Sequence, residues 1–157
     1  MSGALVHRRG YTLVELLAVL AILSILAMGI APLAQIASQR QKEQILRRNL
    51  WAIRDALDAF KRAADQGLVT QGVAPSGYPV TLSVLVEGAV DRQGQPLRFL
   101  RQIPRDPFAE EAWTAEQSWA VRSYASSSQT PRPGGDVYDV HSRSEGVASD
   151  GVPLAQW

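Results

Sequence analysis

From Leu16 to Ala34 the chain runs for 19 residues without a charged side chain, and Ser24 is the only polar one among them. At about 1.5 Å of rise per helical residue this run spans roughly 28 Å, close to the hydrocarbon thickness of a bilayer at about 30 Å. No other feature restricts the fold as strongly, because so apolar a stretch needs lipid or other protein around it. The run exceeds the apolar core of an ordinary cleaved secretory signal. Ala27-Met28-Gly29 is only an approximate small-x-small cleavage site, so a single-span anchor is the plainer reading. His7, Arg8 and Arg9 precede the run and favour a cytoplasmic N-terminus, whereas Arg40, Lys42, Arg47 and Arg48 follow it. Charge counting alone leaves the orientation open. One residue does not suit an anchor: Glu15 stands at the start of the run, just after Arg8, Arg9 and Gly10.

Helical periodicity continues past Pro32. Leu46, Leu50, Ile53, Leu57, Phe60 and Ala64 recur at steps of four, three, four, three and four, which is one stripe of an α-helix. Most charged residues lie off that stripe, and Asp58 and Arg62 are spaced to pair at i,i+4. Gly67 is a natural terminator. The two segments therefore read as one helix from about Thr12 to Asp65, with Pro32, beside Gly29, as the expected break, since proline removes an intrahelical hydrogen bond.

The remainder has the texture of a small β-containing domain. "SWAVRSYAS" alternates as a half-buried strand would, and "VYDVHS" suits its partner across the turn-rich "SSSQTPRPGGD". "YPVTLSVLVEG" is compatible with a strand or a short helix, and "QPLRFLRQIPRDPFAE", broken by three prolines, should be mostly irregular. The expected fold class is α+β: a long N-terminal α-helix, one half transmembrane and the other amphipathic, packed on a small antiparallel sheet of two to four strands.

Composition narrows the function classes. A formal net charge of +1 argues against nucleic-acid binding by phosphate neutralisation. Without cysteine there is no disulfide, cysteine-ligated zinc or thiol catalysis, and the redox compartment stays undecided. His7 and His141 lie nearly a chain length apart, which leaves little material for histidine catalysis or zinc ligation. Ser126–Ser128 has no histidine near it in sequence, so a membrane-anchored periplasmic enzyme is the weakest of the readings, and no enzymatic activity is expected.

"RRGYTLVELLAVLAILSILAMGIAP" resembles the prepilin leader and helix shared by type IV pilins and type II secretion pseudopilins: a short basic leader ending in glycine, then T-L-x-E-L. The resemblance implies leader cleavage by a prepilin peptidase between Gly10 and Tyr11, N-methylation of the new Tyr11 amine, and Glu15 as the assembly glutamate. It implies a leader at 1–10, a transmembrane and assembly helix at 11–34, the amphipathic helix at 35–66, and a globular domain at 67–157 with a small sheet and a C-terminal loop. More loosely, "SGYP", "IPRDPF", "VYDVHSRSEGVASDG" and the last tryptophan resemble the order of segments in major, G-type pseudopilins.

That resemblance implies a structural subunit of a secretion pseudopilus, with a type IV pilin of a surface fibre as the alternative. It also implies a helical filament of copies and other pseudopilins, contact with an inner-membrane secretion platform, and an inner-membrane location with the C-terminal domain in the periplasm. Major pilins usually carry a C-terminal disulfide loop, and this chain has no cysteine. The family's calcium site implies Glu145 and Asp150 as ligands, although solvated loop acids without metal read equally well.

An ionised carboxylate in hydrocarbon costs several kcal/mol or more unless it is paired. Cleavage after Gly10 creates an amine at nearly the same depth, so Glu15 of one subunit can pair with Tyr11 of a neighbour. The simpler alternative is a carboxylate at the edge of the span that reaches the headgroups.

Overall fold

The structure is a computed structural model that describes residues 11–91 and 93–157, apart from the side chains of 28–33. Gly10 and the basic pair before it, and the side chain of Pro32, lie outside the described residues. Helix α1 is assigned over Leu13–Asp65 as one element. The chain divides into two compact units, with the boundary between Gln39 and Arg40 inside that helix.

In the first unit, α1 starts at a local signal. The Glu15 amide donates to Thr12 Oγ1 at 3.2 Å, and the Leu16 amide donates to the Thr12 carbonyl at 3.1 Å. Thr12 thereby occupies one of the amides that a helix start leaves without partners.

In the second unit the same helix buries the stripe read from its periodicity. Leu46, Ile53 and Phe60 are 0 % exposed, with Leu50 and Leu57 buried beside them and Ala64 partly buried. Each such side chain contributes about 1.5–3 kcal/mol when fully buried. Trp119, Val140, Leu82, Leu85 and Leu154 meet the stripe from the rest of the domain, and Phe99 packs edge-on against Phe60 with ring centroids 5.3 Å apart. The helix ends where Gly67 adopts φ +66°, a backbone region that glycine enters without steric cost. There the Gly67 amide reaches the Ala64 carbonyl and the Leu68 amide the Ala63 carbonyl, the paired bonds of a Schellman ending.

The four strands form two separate two-stranded antiparallel sheets. β1 (Ala89–Val90) pairs with β2 (Pro96–Leu97), after a one-turn helix α2 (Val84–Glu87) that resolves the ambiguity of "YPVTLSVLVEG". β3 (Trp119–Arg122) pairs with β4 (Asp139–Ser142) in the register Trp119 to Ser142 and Arg122 to Asp139. These are the two strands expected on either side of the turn-rich loop. A short 3-10 turn, Leu154–Gln156, carries Leu154 into the core.

One expected contact is replaced. Asp58 and Arg62 form no ion pair among the described residues; Lys61 pairs with Asp65 one turn further on. Both spacings satisfy the i,i+4 rule, and periodicity alone does not choose between neighbouring candidates.

Candidate assembly segment and C-terminal loop

The first part of α1 is apolar on every face and covered on none. Leu13 is 76 % exposed, Leu20 58 % and Ile25 71 %, and the leucines, isoleucines and valines between them are exposed as well. A helix apolar all round belongs inside a membrane or a larger assembly. Among the described residues no helix is long and apolar enough to cross a membrane; the side chains of 28–33, which continue the run, lie outside that set.

Tyr11 and Glu15 are exposed at the start of this segment. Thr12-x-x-Glu15 has the spacing of a capping box, a local role that the pattern T-x-x-E signals independently of the family resemblance. Glu15 in the first turn also faces the partial positive charge of the helix start. The only acid of the apolar segment is thus compatible with the helix geometry before any partner arrives.

Residues 6–31 of the 157 match the family described as the prokaryotic N-terminal methylation motif. The chain carries that methylation motif. The match supports a type IV prepilin-like N-terminus, with prepilin-peptidase processing, pilin-type assembly and membrane anchoring through the helix. No curated protein and no solved structure matches the chain. The matched region begins before the described residues, and Gly10, where the resemblance implies cleavage, lies outside them.

The motif's helix continues into the second unit, where it holds the C-terminal loop by three side chains. Glu43, 6 % exposed, accepts from the Ser149 amide and hydroxyl at 2.8 and 2.7 Å. Arg47 donates to Asp150 at 3.1 Å and lies over the Trp157 ring, 4.2 Å from its centroid. Arg54 bridges Asp139 at 2.8 Å, the Val140 carbonyl at 3.1 Å and the Trp157 carbonyl at 2.8 Å. Arg122 meets the other oxygen of Asp139 across the β3–β4 pair. The partners of Glu43, Arg47 and Arg54 lie 85 to 106 residues away, beyond the reach of any local sequence pattern.

The acids of the C-terminal region do not converge. Asp136 is buried under the hydroxyls of Ser76 and Ser123 and the Tyr124 amide. Burial alone would raise its carboxyl, but these hydrogen bonds outweigh it and hold the group below its ordinary value. Asp139 is shared by two arginines, and Glu145 is exposed. Asp150 is occupied by Arg47 at one oxygen and by the Val152 amide at the other. Among the described residues no three His, Cys, Asp or Glu side chains gather as a metal site. Calcium takes six to eight oxygens, and of the two acids the resemblance implies, Asp150 has both oxygens engaged within the fold. The loop is held by the helix through hydrogen bonds and an ion pair.

A further buried carboxylate organises "IPRDPF". Asp106, 0 % exposed, accepts from Ser142 Oγ at 2.6 Å and from the Phe108 amide at 2.8 Å. Its own amide donates to Ser118 Oγ, and the Trp119 indole donates to the Pro104 carbonyl at 2.8 Å. This motif of the globular part is a clamp between a proline-rich loop and the β3–β4 pair. His141 pairs with Ala120 in that sheet, and no hydrogen bond joins it to Ser126, Ser127 or Ser128 among the described residues.

Proposed function

We propose that the protein is a structural pseudopilin subunit, assembling with copies of itself and other pseudopilins into the periplasmic pseudopilus of a type II protein secretion system. The observation that carries this reading is the uncovered apolar helix Leu13–Leu26, with Glu15 its only charged side chain, inside a matched methylation motif. In this reading the chain sits in the inner membrane with its N-terminus cytoplasmic and its globular domain periplasmic. Prepilin peptidase cuts between Gly10 and Tyr11, and the Tyr11 amine is methylated. Glu15 of an incoming subunit then pairs with that amine on a neighbour. The pair sets the axial register of the filament, the best-attested use of a buried ion pair. The role involves no catalytic step of the protein's own.

The capping geometry decides which variant tests the pairing. Glutamine also serves at the third helical position of a capping box, so Glu15→Gln removes the charge while retaining the helix start. With peptidase and assembly platform co-expressed, mass spectrometry should find Tyr11 as a methylated N-terminus in wild type and variant alike. Sedimentable filaments should form only from wild type. Filaments of ordinary yield from Glu15→Gln would sink the pairing, and an intact leader would sink the processing.

A further inference from the structure

Trp51 is 67 % exposed on the domain half of α1. It lines a shallow cavity of about 260 Å³ together with Arg47, Leu50, Arg54 and Trp157. A large aromatic beside arginines, at the mouth of a cavity, has the make-up of an interface anchor. Arg48, one turn earlier, is exposed and has no ion pair among the described residues.

An edge of opposite character lies across the same helix. Asn49 Nδ2 donates to the Arg105 carbonyl at 2.9 Å, and Lys42 Nζ lies 6.0 Å from the Phe108 ring centroid, so the loop after Pro104 flanks that side. Arg105 fastens this loop by donating to the carbonyls of Glu110 and Trp113. Glu110 and Glu111 are exposed, and neither carboxylate has an ion pair among the described residues. Asn49 and Trp51 are two residues apart, about 200° around an α-helix, so the basic aromatic edge and the acidic edge face nearly opposite ways.

We infer that the Arg48–Trp51 edge of one copy docks on the Glu110–Glu111 loop of a second copy in the same orientation. Charge complementarity selects the occupant. Arg48 on one edge and Glu110 and Glu111 on the other are exposed without an ion pair among the described residues, while Asp55 beside Trp51 and Lys42 beside Phe108 carry the minor charge of each edge. Two different surfaces on opposite sides make a heterologous contact, and such contacts propagate into filaments when their rotation does not close. Trp51 supplies the desolvated centre, and the charge pairs fix the approach and exclude the reversed orientation. The inference rests on the filament reading above and names the lateral contact of the globular domains.

The chain has no cysteine, so an introduced pair reports cleanly. Full-length Arg48→Cys and Glu111→Cys chains with different tags are co-expressed with the peptidase and platform, then oxidised in intact cells. The expected product is a disulfide-linked dimer of the two chains, about tenfold above either homodimer. Arg48→Glu should lose filaments, and Arg48→Glu with Glu111→Arg should regain them. Processed chains that form filaments without the 48–111 link overturn this contact and leave the filament reading standing. A link formed without filaments supports the contact and overturns that reading; absence of both overturns both. A dominant link between Arg48→Cys and Asp55→Cys chains, centred on Trp51, would mean an antiparallel two-fold pair and overturn the docking.

Discussion

Two stretches of one helix, Leu13–Leu26 and Leu46–Phe60, are both rich in leucine and isoleucine and have opposite fates. In the first, Leu16 is 51 % exposed and Leu23 55 %; in the second, Leu46 and Ile53 are 0 % exposed. Both lie in the same helix, so secondary structure does not separate them. The difference is the arrangement of apolar residues around the axis. One stripe can be matched by one core, while a helix apolar on all faces exceeds what a domain of this size can cover. The first stretch is therefore a surface meant for surroundings outside the chain, and the second is the floor of the domain.

The sharpest way to break this comparison is to truncate one apolar residue in each stretch. Phe60→Ala should cost about 3–5 kcal/mol in denaturant unfolding of the domain, from lost burial and the cavity left against Phe99. Leu20→Ala should leave that transition unmoved. Equal losses at both positions would show that the first stretch packs on the domain after all.

Smaller effects sharpen what holds the second stretch to the rest. Asp106→Ala leaves the Phe108 amide and Ser142 hydroxyl without their acceptor, and should cost about 1–3 kcal/mol by thermal unfolding. Acid should act on the same domain through Asp136. Its folded carboxyl is held below the usual value of 3.8, so the unfolded chain takes up the proton first. The stabilisation is present above about pH 3.8 and is lost as the pH falls below it, and Asp136→Asn should flatten that part of a stability–pH curve. The least effect belongs to Arg47→Lys. The Arg47–Asp150 pair is about half exposed at each partner, and such pairs contribute about 0–1 kcal/mol. A drop larger than that in the midpoint would point to the stacking on Trp157, which a lysine does not reproduce.

Much of the helix was legible because its signals are local. The steps of three and four from Leu46 to Ala64 state the buried face directly, and Gly67 states the end. Thr12-x-x-Glu15 is an equally local signal, a helix start that stands whether or not Glu15 also has the role the family pattern implies. Within the domain, the β3–β4 pair could be read from alternation around a turn-rich loop. The division into two sheets could not, since β1 and β2 are two residues each and carry almost no periodic signal. Calcium at Glu145 and Asp150 is what the family resemblance implies, and a resemblance of loop segments does not reveal that Arg47 takes Asp150.

By itself the sequence determined the helix, its uncovered apolar start, its buried stripe and its stop, because each depends on neighbours within a few turns. Tertiary structure decided what the charged side chains do. Glu43 meets Ser149, Arg47 meets Asp150, and Arg54 meets Asp139 across separations of 106, 103 and 85 residues. Such partners are chosen by how a packed domain satisfies polar groups it has taken from water, and only folding brings those groups together.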